Sequence, residues 1–145
     1  MSVHIKRVRE IGVGSNYVGK NELTPLSSTP LSSLIADLAE RGQLDSTLVV
    51  ALGEFGRTPR INPAAGRDHW PFCFTALLAG GGVRGGMAYG SSDKLGAYPD
   101  LDAVTPGDLA ATVLWRFGLD PASEMRDLTG RPYHLAEGQP IKALF

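Results

Sequence analysis

The sequence has little cysteine, no excess of one charge and no long apolar run. One cysteine, Cys73, among 145 residues excludes an internal disulfide and a zinc cluster built from several cysteines. The 14 basic and 15 acidic residues give a net charge of −1, which argues against a general nucleic-acid binder or a polybasic membrane-surface protein. The longest uncharged run, Trp70–Val83, is too short and too glycine-rich for a membrane span.

The N-terminal residues also lack the pattern of a secretory signal. Met1–Gly14 carries several charged side chains but no apolar stretch of signal-peptide length. We therefore expect no signal peptide in this chain. The compartment stays open, because Cys73 lies in an apolar run typical of a buried, unreactive thiol and carries no redox information.

Glycine and proline, in contrast, are abundant. The chain has 18 glycines and 10 prolines, above the average usage of about 7% and 5%. Together with 43% hydrophobic residues this composition predicts a globular, loop-rich protein. Loops often carry binding and catalytic residues, so the turns are where we look for a site.

Apolar spacing and capping residues predict two helices. The first covers Leu31–Arg41, whose apolar residues recur on one helical face, with Thr29 as its N-cap and Gly42 just past its end. The second opens at Thr105–Asp108, which has the spacing of a capping box, and ends at Gly118.

Apolar runs predict the strands. Thr47–Leu52 is a continuous run with β-branched residues, typical of a strand buried on both faces. Phe72–Ala79 predicts a second buried strand, and Met87–Tyr89 a short edge strand. Val3–Ile5 and Ile11–Val13 are candidate short strands near the N-terminus. A helix, a short loop and a buried strand in that order are typical of an α/β sheet.

An acidic residue follows the first of the buried strands. Glu54 lies two residues beyond that strand, between Gly53 and Gly56. Ligands of open α/β sheets bind at the carboxyl ends of strands, so this position makes Glu54 a candidate metal ligand or general base. The alternative is a solvated loop acid that caps the next turn.

Three arginines come next, with no acid among them. Arg57, Arg60 and Arg67 lie in a loop rich in glycine and proline. Planar guanidinium groups match phosphate, sulfate or carboxylate, so the loop predicts an anion pocket in which these side chains converge. The alternative is an exposed basic loop that pairs with Asp68 and other surface acids.

His69 is the strongest single candidate for chemistry. A histidine beside an acid, just before a buried strand, suits a metal ligand or a general acid or base. Successive side chains of extended backbone point in opposite directions, so Asp68 and His69 need not share a target. The spacing from Glu54 to His69 matches no compact metal motif.

Taken together, several motifs resemble a known family. Over residues 22–145 the chain is similar to the bacterial family called domain of unknown function 1501, which is abundant in planctomycete-type genomes. The stretches that carry the resemblance are Gly53–Pro59, Gly66–Pro71, Leu78–Gly86, Tyr89–Lys94, Val104–Thr112 and Gly130–Pro132.

This resemblance implies a relation to the alkaline phosphatase and sulfatase superfamily. The implied fold is a three-layer α/β fold, a mostly parallel sheet flanked by helices, as a partial alkaline-phosphatase-like fold. Glu54 and Phe55 then stand where the superfamily's Asp-His-Gly metal motif has its aspartate and histidine. His69 corresponds to a later histidine ligand that precedes the last central strand. Phe55 cannot bind a metal, so one ligand of the superfamily pattern is missing.

The resemblance also implies a chemistry. The implied reaction is the hydrolysis of a phosphate or sulfate ester. The implied substrate is an anionic small molecule, and the implied cofactor is a divalent metal such as zinc, manganese or calcium. The implied metal ligands are Glu54, Asp68 and His69. Arg57 and Arg67 would stabilise the anionic transition state as catalytic residues.

The resemblance covers only the C-terminal third of the family's longer members. Residues 1–21 are then a poorly patterned N-terminal segment, and residues 22–145 the C-terminal part of an alkaline-phosphatase-like domain. The longer relatives are often exported. We expect a fragment of a metal-dependent ester hydrolase-like domain, and whether it is an enzyme stays open. The alternative is a non-catalytic module that keeps the superfamily fold and binds an anion or a partner. An unpaired sheet edge would favour a homodimer.

Overall fold

Short strands predominate in the computed structural model, which describes residues 2–6 and 25–145, with side chains from Pro30 onward. The helices are α1 Pro25–Glu40 and α2 Pro106–Arg116, and single 3₁₀ turns cover Leu44–Ser46 and Lys142–Leu144. The strands are β1 Ser2–Lys6, β2 Leu48–Leu52, β3 Gly56–Arg57, β4 His69–Trp70, β5 Cys73–Gly80, β6 Ala88–Tyr89, β7 Ser91–Ser92, β8 Pro99–Leu101, β9 Glu124–Arg126 and β10 Pro132–His134.

Four of the described strands form the main sheet, in the order β2-β5-β1-β6. The inner strand β5 pairs antiparallel with β2 and parallel with β1. On the other side of β1, β6 pairs antiparallel. The remaining strands form three antiparallel pairs, β3 with β4, β7 with β8, and β9 with β10.

The expected three-layer fold with a mostly parallel sheet is wrong. Among the described strands the β1–β5 pair alone is parallel, and two helices accompany several two-stranded antiparallel ladders. Parallel neighbours need a crossover, usually a helix. The connection from β2 to β5 contains only the short strands β3 and β4, and the chain returns antiparallel. The helix–loop–strand order in the sequence is compatible with both arrangements.

The individual strand predictions fare better than the topology. Strands are confirmed near Thr47–Leu52, Phe72–Ala79 and Met87–Tyr89, and Val3–Ile5 lies within β1. The prediction that Thr47–Leu52 is buried on both faces is wrong, because the strand formed there, β2, lies at an edge of the sheet and is only half-buried. The predicted strand Ile11–Val13 lies outside the described residues. The two edges of the main sheet as described are β2 and β6, and the homodimer through such an edge stays a prediction.

The first helix begins earlier than its sequence predicts. It starts at Pro25, so Thr29 is not its N-cap and Pro30 lies inside it. Proline fits the first helical position because the N–H that it lacks has no intrahelical partner there. Inside the helix, Pro30 removes one hydrogen bond, which the rest of the helix tolerates. The predicted end is confirmed, with Gly42 at a φ of 65°.

The core lies on one face of β5. Alternating side chains of this strand, Phe74, Ala76 and Leu78, are buried against α2 and the C-terminal residues. Their partners in this cluster are Val83, Val104, Leu109, Ile141 and Leu144. Cys73 is buried as predicted, and burial raises the pKa of its thiol, with a smaller contribution from the charge of Asp93.

The predicted capping box at the start of α2 is confirmed, and it also holds the C-terminal residues. Thr105 Oγ1 accepts from the Asp108 N–H at 3.1 Å, and Asp108 Oδ2 accepts from the Thr105 N–H at 2.9 Å. Asp108 Oδ1 accepts from the Gln139 N–H at 2.8 Å. One turn later, the buried Thr112 hydroxyl accepts from the Ile141 N–H at 2.9 Å. These contacts position the tail that completes the core.

We expect Asp108→Ala to destabilise the protein more at pH 7 than at pH 3. Burial alone would raise the pKa of Asp108, but hydrogen bonds from Thr105 and Gln139 outweigh it and lower the pKa. A carboxylate whose pKa is lowered by folding contributes stability above its unfolded pKa, about 3.9, and loses that contribution as the pH falls below it.

The expected loss at pH 7 is about 1–2 kcal/mol, the scale of charge-assisted hydrogen bonds open to solvent. Urea unfolding at both pH values measures it. Asp37→Ala is the control, because it removes only an exposed ion pair with Arg41, for which about 0.5 kcal/mol or less is expected. Equal losses at pH 3 and pH 7 would contradict the assigned role of the carboxylate.

Candidate functional site

All the predicted site residues lie on one excursion between β2 and β5, residues 53–71, which we call the arginine loop. At its base, β3 pairs with β4, so that Arg57 faces His69 and Gly56 faces Trp70. Side chains directly opposite each other in an antiparallel pair lie on the same face. The ladder therefore brings one predicted anion-binding residue and the predicted histidine to a common surface.

A glycine fixes the base of the loop against the central strand. A Cβ atom at Gly56 would collide with the backbone carbonyl of Cys73 and would lie 3.2 Å from the Trp70 carbonyl oxygen. Glycine allows this close approach because it has no side chain. The loop therefore leaves the main sheet from a base that is packed onto β5.

Trp70 holds the other side of that base. Its indole Nε1 donates to the Ala97 carbonyl at 2.5 Å, and its ring contacts Phe72 and Tyr98, with centroids at 5.0 Å and 5.6 Å. The segment that carries Ala97 and Tyr98 is organised by Asp93. Hydrogen bonds from the backbone, that of Ala97 foremost, lower the pKa of Asp93 despite its partial desolvation.

Two of the arginines brace the loop through backbone carbonyls. Arg67 is half-buried, and its Nη1 donates to the carbonyls of Thr58 and Pro59 at 2.6 Å and 2.5 Å. Arg57 is exposed, and its Nη1 donates to the Arg67 carbonyl at 3.3 Å. Arg60 is exposed at the tip. The cross-bracing brings Arg57 and Arg67 to the same part of the loop.

Asp68, the acid next to Arg67, has a partner other than these arginines. Asp68 Oδ1 accepts from Asn62 Nδ2 at 2.9 Å. In the part of the chain with described side chains, the ion pairs are Arg41–Asp37 and Arg131–Asp127, both distant in sequence from the loop. The alternative in which the arginines pair with Asp68 or other surface acids therefore finds no support in the described contacts.

His69 has an aromatic neighbour instead of an acidic one. Its ring stacks on Phe55, with centroids 3.7 Å apart and planes inclined by 25°. The guanidinium carbon of Arg57 lies 5.6 Å from the centroid of the same Phe55 ring, within the range of a cation–π contact. Phe55 thus provides an aromatic platform that His69 and Arg57 share.

The three predicted metal ligands are not gathered around a common point. Asp68 is held by Asn62, His69 stacks on Phe55, and Glu54 is exposed in the bend before β3. Among the residues that the structure describes, no group of three or more His, Cys, Asp or Glu side chains is arranged to hold a metal ion. As arranged, they do not fit a divalent metal. The zinc, manganese or calcium ion stays a prediction.

Asn62 is an organising residue that the sequence analysis missed. Its Oδ1 accepts from the N–H groups of Ala64 and Gly66 at 3.1 Å and 2.9 Å, and its N–H donates to the Gly66 carbonyl at 2.8 Å. Ala65 takes the left-handed conformation, with a φ of 58°. The sequence does carry a signal for this turn, because an Asn-Pro pair with a glycine three residues later favours a turn closed by the asparagine side chain.

A separate cavity of about 640 Å³ lies at the C-terminal end of α2. Its walls include Trp115, Leu119, His134 and Lys142. His134 Nδ1 lies 2.8 Å from the Ala122 carbonyl oxygen and helps to hold this wall. None of the predicted site residues lines the cavity.

The described residues form a four-stranded mixed sheet with a braced, arginine-bearing excursion. A family model described as "Protein of unknown function (DUF1501)" matches residues 15–145, and the chain belongs to this family. The resemblance noted in the sequence is thereby confirmed at the level of the family. Comparisons with curated proteins and with solved structures found no match. None of the described helices combines the length and the hydropathy that a membrane span needs.

Proposed function

We propose that the arginine loop binds an anionic group of the phosphate or sulfate type. The observation that carries the proposal is the placement of Arg57, Arg60 and Arg67 within eleven residues of one braced loop, with no carboxylate paired to them in the described contacts. A guanidinium has five N–H donors. The hydrogen bonds described for Arg57 and Arg67 involve Nη1 alone.

The energetics favour a bound anion over bulk solvent at such a place. Arg67 is half-buried, so its charge is only partly hydrated. A bound oxyanion offers charge-assisted and bidentate hydrogen bonds, which are roughly twice as strong as neutral ones. Because backbone carbonyls already fix two of the side chains, less side-chain entropy is lost when the anion binds.

A second candidate function follows from the family resemblance. Here the chain is the C-terminal part of a phosphate or sulfate ester hydrolase-like protein related to the alkaline phosphatase and sulfatase superfamily. Arg57 and Arg67 then stabilise the charge that develops on the ester oxygens. The pairing of Arg57 with His69 across the ladder favours this candidate, because it puts an imidazole on the face that carries the guanidinium. No step is assigned to a metal ion, since the described carboxylates do not fit one.

The expected result of an anion titration is a specific rise in the melting temperature of the wild-type protein. A ligand that binds only the folded state stabilises it by about 2.7 kcal/mol at 100 times its Kd. Phosphate or sulfate should therefore raise the melting temperature, whereas sodium chloride of equal ionic strength should do much less, because screening supplies no bidentate hydrogen bonds.

Scanning calorimetry measures these shifts, and isothermal titration calorimetry gives the Kd. Equal shifts with phosphate and chloride would contradict the proposal. Incubation of the same samples with 4-nitrophenyl phosphate or 4-nitrophenyl sulfate separates binding alone from hydrolysis.

A further inference from the structure

The register of the β3–β4 ladder brings Arg57 and His69 close together on one of its faces. Thr58 donates its N–H to the Asp68 carbonyl at 3.0 Å. The adjacent pair, Arg57 with His69, is therefore of the non-hydrogen-bonded kind, in which opposite side chains lie closest, with Cβ atoms about 4.5–5.5 Å apart. Side-chain direction alternates along a strand, so Asp68 lies on the opposite face. The face that Arg57 and His69 share is thus not the face of the neighbouring acid.

Phe55 contacts both side chains of this pair. Its ring stacks on the His69 imidazole with centroids 3.7 Å apart, and its centroid lies 5.6 Å from the Arg57 guanidinium carbon. Phe55 is half-buried, whereas Arg57 and His69 are exposed. One ring therefore restricts two polar side chains and leaves both of them accessible to a ligand.

Both side chains also have donors that the described contacts do not use. The hydrogen bond from Arg57 to the Arg67 carbonyl involves Nη1 alone, and a guanidinium carries further donors on Nε and Nη2. Among the described contacts, the His69 ring has its stack on Phe55 and no hydrogen bond, and even a neutral imidazole has one N–H to donate. A phosphate or sulfate group has several oxygens, so it can accept from both neighbours at once.

We propose that Phe55 is a positioning residue, which holds the Arg57 guanidinium and the His69 imidazole so that both donate to one bound oxyanion. This inference rests on the proposed function and assigns the arrangement of donors within that site. The ring acts through its flat π face, which stacks on an imidazole and attracts a guanidinium. Because the ring already restricts both side chains, less side-chain entropy is lost when the anion binds.

Phe55→Leu and Phe55→Tyr test the role of the ring. Leucine is apolar but has no π face, whereas tyrosine keeps the ring. We expect Phe55→Leu to raise the Kd for inorganic phosphate about five- to tenfold, because the anion must then immobilise two side chains that the ring no longer holds. Phe55→Tyr should stay within about twofold of the wild type. Isothermal titration calorimetry at fixed pH and low ionic strength measures the Kd, and the melting temperature without phosphate reports on the fold.

Phe72→Leu is the matched control. Phe72 directly follows the arginine loop, and its ring contacts Trp70 and Tyr98, with centroids at 5.0 Å and 5.3 Å, instead of the proposed anion donors. The same substitution at this position should leave the phosphate Kd within about twofold of the wild type. An equal loss of affinity in Phe72→Leu and Phe55→Leu would trace the effect to a general disturbance of the loop base and would overturn the inference. A loss in Phe55→Tyr as large as that in Phe55→Leu would also overturn it.

His69→Ala tests whether the imidazole itself binds the anion. Loss of one donor to a charged ligand should raise the phosphate Kd at least about threefold. Without phosphate, proton NMR measures the stacking directly, because the Phe55 ring current shifts the His69 ring protons. That shift should disappear in Phe55→Leu and persist in Phe55→Tyr.

Unchanged phosphate affinity in either Phe55→Leu or His69→Ala overturns the inference while the proposed function stands. If the wild type binds no phosphate, the proposed function fails and the inference fails with it, so the two failures are distinct.

Discussion

Arg57→Lys is expected to remove most of the stabilisation that phosphate or sulfate gives to this protein. Lysine keeps the charge but replaces a planar fork with a compact ammonium, which cannot offer two parallel hydrogen bonds to an oxyanion. The change also removes the bond from Nη1 to the Arg67 carbonyl and the guanidinium that lies 5.6 Å from the Phe55 ring. We expect the Kd for phosphate to rise at least tenfold, equivalent to about 1.4 kcal/mol.

Arg126→Lys provides a matched control. Arg126 is also exposed, and its Nη1 donates to the Gly130 carbonyl at 2.9 Å, but in the β9–β10 hairpin. The two substitutions therefore make the same chemical change at equivalent kinds of contact. Calorimetric titration of both variants should show full binding in Arg126→Lys. Wild-type affinity in Arg57→Lys would remove Arg57 from the site.

A large loss of stability is expected from Gly80→Ala. Gly80 ends the central strand with a φ of 71°. A Cβ atom there would lie 2.5 Å from the Leu44 carbonyl oxygen and would collide with the Thr47 carbonyl. Strain in the left-handed region adds to this overpacking, so we expect a decrease of about 3–5 kcal/mol in the free energy of unfolding. That is a large fraction of the stability of a typical domain, about 5–15 kcal/mol.

Gly42→Ala separates the two contributions. Gly42 has a similar φ of 65°, but a Cβ atom at this position meets nothing within 4 Å. Gly42→Ala should therefore lower the free energy of unfolding only by the conformational penalty of a positive φ, about 1 kcal/mol. Chemical denaturation of the two variants measures the difference. Equal losses would mean that the close packing of Gly80 against residues 44–47 contributes little.

The sequence predicts elements well and their arrangement poorly. β5 is recognisable because a long apolar run needs a fully buried place, and α2 because Thr105 and Asp108 form a local capping box. The antiparallel pairing of β2 with β5 depends instead on a connection of about 20 residues, in which the sequence contains no local signal of direction. Half-burial of β2 follows from its place at the edge, which is also a property of the topology.

The candidate site shows the same difference between features set by the local sequence and features set by the tertiary arrangement. The clustering of Arg57, Arg60 and Arg67 in one loop is a property of the sequence itself. The contact partners of Asp68 and His69 cannot be predicted from the sequence in this way, because they depend on the register of the β3–β4 ladder and on the turn at Asn62. An exposed side chain meets several candidate partners of similar energy, so its contacts cannot be read from the local sequence.

The pairing of β1 with β5 has a consequence for biosynthesis. It joins residues 2–6 to residues 73–80, and the core also requires Ile141 and Leu144. On the ribosome, β1 therefore cannot pair until β5 has been synthesised, and the core is complete only when residues 141–144 have left the exit tunnel. Such non-local contacts slow folding. The apolar strand β5 also stays exposed until the residues that bury it have been synthesised. Until then, β5 is an extended apolar segment of the kind that chaperones bind.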